Sequence, residues 1–118
     1  FAEKTVREMI RLLGARPERI LAALGPCIGK CCFETDSDVP EAMRTSALGA
    51  EAEPYLERRG EKWHVDLAGL NRRWLLCAGV APDHIDVCGL CTACRPDLFW
   101  SHRKMGEARG VQAAVISL

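Results

Sequence analysis

Two stretches of the chain concentrate groups able to do chemistry. LGPCIGKCCFETDSDV, Leu24 to Val39, carries three cysteines, two glycines and a proline. CGLCTACRPDLFWSHRK, Cys88 to Lys104, carries three more cysteines and ends on a hydroxyl, an imidazole and two cations. A cysteine thiolate is a soft metal ligand and a nucleophile, so both chemistries are open. Cys88, Cys91 and Cys94 stand as C-x-x-C-x-x-C, with Cys31, Cys32 or His84 available as a fourth ligand. A structural zinc site generally uses two clean ligand pairs, and an iron–sulfur site needs a further well-placed cysteine. The competing reading makes Cys77 and Cys88 small core residues, since free cysteine buries readily. In the first stretch, glycine lets backbone N–H groups approach a ligand and hold an anion. A thiol there becomes nucleophilic if a cation lowers its pKa. The competing reading is a tight turn around buried thiols.

The three histidines differ in setting. His64 falls on a strand and reads as structural; His84 follows Pro82 and Asp83 in a turn and reads as solvated. His102 lies in FWSHRK with Ser101, Arg103 and Lys104, a donor cluster suited to phosphate or another anion. A solvated basic turn is the alternative. Glu34, after the double cysteine, is an acid, a base or a supporting group. Asp66 reads as a helix cap.

These groups need elements to position them. Val6, Met9, Ile10 and Leu13 form one stripe of a helix that Gly14 closes and Pro17 keeps from resuming. Glu3 and Arg7 are one turn apart on its outside. RILAALG, residues 19–25, reads as a buried strand feeding the first cysteine loop. Asp38 and Pro40 open a short helix to about Leu48, and the polar residues 49–62 read as a surface loop or frayed helix. KWHVDL is a short strand. Asp66 then caps a helix bearing Leu67, Leu70, Trp74 and Cys77 or Ala78, ended by Gly79. HIDVCG and VQAAVISL read as further strands, giving about four in all. Helices alternating with strands imply a layered α/β or α+β fold.

With 118 residues the chain is long enough for one domain core. Sixteen basic and sixteen acidic residues leave no net charge to attract nucleic acid or an anionic membrane. No apolar run nears the roughly 20 residues that span a bilayer. Seven cysteines without a visible secretory signal fit a reducing, cytoplasmic setting. The opening FAEKTVREMIRLLG enters a helix at once, as a piece of a longer protein would.

LGPCIGKCCFE, VDLAGLNRRWLLCAGV and GLCTACRPDLFWSHRK, followed by GVQAAVISL, occur in this order across nearly the whole chain. Together they resemble the laccase-domain, or multicopper polyphenol oxidase, family, whose members act as zinc-dependent purine nucleoside phosphorylases that also deaminate adenosine. The resemblance implies a mixed-sheet layered sandwich of the laccase-domain, cytotoxic-necrotizing-factor-like type. Residues 1–118 would supply roughly its C-terminal half. It implies phosphorolysis of adenosine, inosine and guanosine, with purine nucleosides and phosphate as partners, and neither nucleic acid nor membrane. The family's zinc is held by two histidines and a cysteine of the N-terminal half. By resemblance, then, this chain holds no metal ligand, and copper enters only through the older oxidase label. The chain alone is expected to be inactive and to self-associate through an exposed face. Ser101, Arg103 and Lys104 match the substrate-binding end. Glu34, Cys91 and Thr92 match catalytic-motif positions without an assigned step.

The match has departures. The family commonly places two arginines and an aspartate where this chain has Arg103, Lys104 and Met105. GEARG is one residue longer than usual, with Arg109 before Gly110. Lys104 keeps charge without bidentate geometry. Two other classes remain alongside: a small cysteine-based metal-binding or redox module, and a non-catalytic structural domain.

Overall fold

The computed structural model describes residues 2–117. Helix α1, Ala2–Leu13, uses only part of its apolar stripe: Val6 is buried, while Ile10 and Leu13 stay exposed. Arg7 bonds Glu3 at 2.6 Å one turn away. Gly14 takes φ 62°, the left-handed geometry that ends a helix without steric cost, and its N–H reaches the Ile10 carbonyl.

Strand β1, Ala22–Leu24, lies parallel to the last strand, β5, Ile85–Val87, with Ala22 opposite Ile85 and Leu24 opposite Val87. The chain between them builds a second, antiparallel sheet and the helix that joins the two layers. This sheet has the order β2, β4, β3, from Glu34–Thr35, Lys62–Val65 and Leu56–Arg59. Helix α2, Asp38–Arg44, and a 3-10 turn, Gly49–Tyr55, connect β2 to β3. Helix α3, Leu67–Cys77, returns the chain to β5, and α4, His102–Met105, follows the second cysteine loop. The fold is therefore mixed α/β, with a parallel and an antiparallel sheet.

Helix α3 joins two cores. Leu70 packs with Leu48, Ala52 and Val65, and Leu75 packs with Val6, Val80 and Ile85. This double duty moves burial from Cys77, expected in the core, to Leu75; Cys77 is exposed. Cys88 is exposed as well, because β5 ends at Val87 and the chain leaves the sheet there. Asp66 does cap α3, accepting the Gly69 N–H at 2.9 Å. A Cβ on Gly69 would meet Tyr55 and Asp66 at 2.5 Å, so only glycine fits that turn of the helix.

Two segment expectations change. Residues 49–62 hold a 3-10 turn and a strand rather than a loop or frayed helix. The strand, β3, is charged because it is an edge: on exposed surface its Glu57 bonds Arg59 at 2.6 Å and Lys30 at 2.7 Å. Residues 111–117 form no strand; they are exposed and join no ladder, without which an extended segment is not a strand. Leu118 lies outside the described residues.

Candidate functional site

The two cysteine-rich stretches meet. Beyond β1 and β5 the parallel pairing resumes as a single bridge between Cys27 and Cys91. The Cys88 N–H reaches the Leu24 carbonyl at 2.9 Å, and the Thr92 N–H reaches the Cys27 carbonyl at 3.0 Å. Backbone hydrogen bonds thus fasten the loop after β1 to the loop after β5. The first loop turns sharply, since the Cys32 and Phe33 N–H groups both bond the Gly29 carbonyl at 2.9 Å.

That turn carries Cys31 and Cys32 onto the Cys91–Cys94 segment. All four Sγ atoms lie within 4.8 Å of one another. Cys94 Sγ is 3.6 Å from Cys31 Sγ and 3.4 Å from Cys32 Sγ. The Gly29 N–H donates to Cys91 Sγ at 3.2 Å. Burial pushes the Cys91 thiol up, but the N–H groups of Gly29, Cys94 and Ala93 outweigh it and bring it down to about 6. Burial pushes the Cys27 and Cys31 thiols up instead. Among the described residues, this is the one group of three or more histidine, cysteine or acidic side chains close enough to hold a metal ion. The C-x-x-C-x-x-C spacing therefore splits: Cys91 and Cys94 join Cys31 and Cys32, and Cys88 does not.

Two clefts flank this junction. The larger, about 540 Å³, is bordered by Gly25, Gly29 and Gly89 with Cys91, Lys30, Asp66 and Arg72. The smaller, about 300 Å³, is bordered by Phe33, Thr92, Trp100, Ser101, His102 and Arg103. Three of the six expected site residues, Thr92, Ser101 and Arg103, therefore share one cleft. Glu34 adjoins it, because Arg103 Nη1 donates to the Glu34 carbonyl at 2.7 Å and the guanidinium lies 5.5 Å from the Phe33 ring centre. Cys91 borders the other cleft, and Lys104 is exposed on α4.

Local structure explains these positions. Ser101 is buried and caps α4, its hydroxyl accepting the Lys104 N–H at 3.4 Å. Thr92 is buried behind the loop bridge. His64 is structural, as its strand setting implied: Nδ1 lies 2.7 Å from the Lys30 carbonyl and Nε2 lies 3.7 Å from Glu34. His84 is half-buried rather than solvated, with an unpartnered Nδ1. His102 Nδ1 accepts from Arg109 Nε at 3.1 Å. An imidazole-rich catalytic zinc or copper centre does not fit these residues, because among the described residues no histidine gathers with another histidine or with the four thiols.

Lys30 and Arg72 were not visible as cleft residues in the sequence. Lys30 sits in a glycine turn and Arg72 follows Asp66 by six positions on α3, a separation with no local signature. Lys30 is held by Glu57 at 2.7 Å, and Arg59 and Lys30 together hold the Glu57 carboxyl at about 2, far below the usual carboxylate range.

The chain is a mixed α/β unit whose two thiol-rich loops meet beside a cleft bordered by Arg103. The whole chain, residues 1–118, matches the family described as "Multi-copper polyphenol oxidoreductase laccase", and it belongs to that family. It is 43% identical over 118 residues to "Purine nucleoside phosphorylase" of Deinococcus radiodurans, covering 100% of this chain and 43% of that protein. It is 35% identical over 110 residues to "Adenosine deaminase RL5" of an unknown prokaryotic organism, covering 93% of this chain and 42% of that protein. The crystal structure of the Bacillus licheniformis hypothetical protein YfiH superposes with a TM-score of 0.81 at 36% identity, covering 87% of this chain and 39% of that one. The chain thus spans about two fifths of the length of the relatives it matches.

Proposed function

We propose that this chain forms one wall of a purine nucleoside phosphorylase domain. The observation that carries the reading is the cleft joining Phe33, Thr92, Trp100, Ser101 and Arg103. Phosphorolysis breaks the bond between the sugar's anomeric carbon and the base nitrogen. A phosphate oxygen bonds to that carbon, the bond electrons leave with the base, and the base gains a proton. The site must therefore hold an anion, accept a flat aromatic base and manage one proton.

Arg103 supplies the anion contact. Its Nη1 donor is committed to Glu34, which orients the guanidinium, and a guanidinium has five donors in all. Lys104 adds charge one residue on. Phe33 and Trp100 supply aromatic faces of the kind a purine packs against. Glu34, whose backbone carbonyl takes the Arg103 bond and whose carboxylate lies 3.7 Å from His64 Nε2, is the candidate for the proton. Thr92 and Ser101 are buried and border the cleft with hydroxyls. Adenosine deamination beside phosphorolysis is supported by the kinship with the adenosine deaminase named above. The zinc implied by the family resemblance takes its ligands from residues outside this chain, and no step here runs through it.

The test uses the full-length gene product with inosine and phosphate. Loss of a charge-assisted anion contact is worth about 1.5–3 kcal/mol, so Arg103→Ala should raise the phosphate KM roughly 10- to 100-fold. The inosine KM should change little, and Arg103→Lys should recover part of the loss. An unchanged phosphate KM would remove Arg103 from the anion site.

A further inference from the structure

The four-thiol junction is not explained by nucleoside chemistry. We infer that Cys31, Cys32, Cys91 and Cys94 form a structural site for one zinc ion that clamps the loop after β1 to the loop after β5.

The sulfur spacing is the main argument. Four sulfurs held about 2.3 Å from a tetrahedral zinc stand about 3.8 Å from one another. Here all four lie within 4.8 Å, and Cys94 Sγ stands 3.6 Å from Cys31 Sγ and 3.4 Å from Cys32 Sγ. Cys94 is thus nearly equidistant from Cys31 and Cys32. Mutual separations within 4.8 Å suit four ligands sharing one ion, and all four cysteines are free thiols rather than a disulfide pair. Four thiolates are the donor set of closed, structural zinc sites, and a multi-iron cluster would need its cysteines farther apart.

The surroundings support a metal thiolate independently. The N–H groups of Gly29, Ala93 and Cys94 face Cys91 Sγ, the kind of outer hydrogen bonding that stabilises a coordinated sulfur. A Cβ on Gly29 would stand 3.2 Å from Cys91 Cβ and 3.3 Å from Cys31 Sγ, so glycine permits the sulfurs to gather. Cys31 and Cys94 are exposed, which gives an ion a route in, while Cys32 and Cys91 are half-buried. The clamp would fix Phe33 and Thr92, both directly beside ligand residues, and with them the small cleft.

The full-length gene product is the material for the test, with zinc per chain measured by mass spectrometry. Cys94→Ser and Cys32→Ser should each bind one zinc fewer than the unsubstituted protein, whatever other zinc that protein holds. Cys94→His, which restores a competent Cys3His set, should keep the count. Cys77→Ser and Cys88→Ser should leave it unchanged. Should the serine variants fold poorly, cobalt replacement in the unsubstituted protein decides the matter. Strong thiolate-to-cobalt charge-transfer absorption is expected, in an amount exceeding what a single-cysteine centre gives. An unchanged zinc count in folded Cys94→Ser, iron in place of zinc, a disulfide among the four, or cobalt protein lacking that absorption would overturn the inference. Phosphorolysis plays no part in this readout, so its failure is distinguishable from failure of the nucleoside reading.

Discussion

At the level of single residues, chemistry depends on what each side chain has as neighbours. Seven cysteines look alike in a sequence, yet Cys77 and Cys88 face solvent while four others converge. Local spacing marked Cys91 and Cys94 but also Cys88, because a strand ending at Val87 leaves no trace in the pattern. The convergence with Cys31 and Cys32 was out of reach, since it depends on the parallel β1–β5 pairing about 60 residues apart. Residues whose roles are local fared better, as Asp66 and Gly14 show. One prediction belongs at this scale. Arg59 and Lys30 hold the Glu57 carboxyl at about 2, below its ordinary 4.5. A depressed carboxyl favours the folded state above its unfolded pKa, and that contribution is lost as pH falls from about 4.5 towards 2. The Glu57 carboxyl should titrate near 2 by NMR, and Glu57→Gln should flatten the acid limb of stability over that window. The effect will be small because the pair is solvated. A Glu57 midpoint near 4.5 would contradict the ion-pair geometry.

Elements were readable where the apolar period was strong and a cap was present. Helices α1 and α3 and strands β4 and β5 follow their sequence signals, whereas the buried strand expected over residues 19–25 shortens to Ala22–Leu24, with Ala23 and Leu21 exposed. Strand β3 was not readable, because edge charges such as Glu57 and Arg59 hide its alternation. Residues 111–117 gave the opposite error, a β-rich pattern with no ladder. The central element is α3, which serves both cores. Leu70 is 0% exposed, so Leu70→Ala should cost roughly 2–5 kcal/mol in urea unfolding. Gly69→Ala should also destabilise, because its methyl would meet the Tyr55 ring at 2.5 Å. A lone helix-propensity effect would make that same change stabilising by up to about 1 kcal/mol, so the sign of the shift separates the two.

Across the whole molecule, the apolar surface is uneven. Leu12 and Leu13 on α1 are 63% and 75% exposed, and Val115 and Ile116 are 93% and 84% exposed. Such surface favours association. The 118-residue chain on its own should sediment faster as concentration rises, and Leu12→Lys with Leu13→Lys should lower that tendency. Concentration-independent monomer would contradict it. No helix among the described residues is long and apolar enough to cross a membrane. The fold class and family were readable in the ordered motifs because their residues make the turns and caps that build the layers. The cleft pairing of Arg103 with Glu34 was not, since it links residues 69 positions apart.

The most direct measurement is phosphate-dependent release of hypoxanthine from inosine by the full-length gene product. Release should require phosphate, yield ribose 1-phosphate in equal amount and fall in Arg103→Ala when phosphate is limiting. Hypoxanthine release that is absent, or that proceeds equally without phosphate, would contradict it.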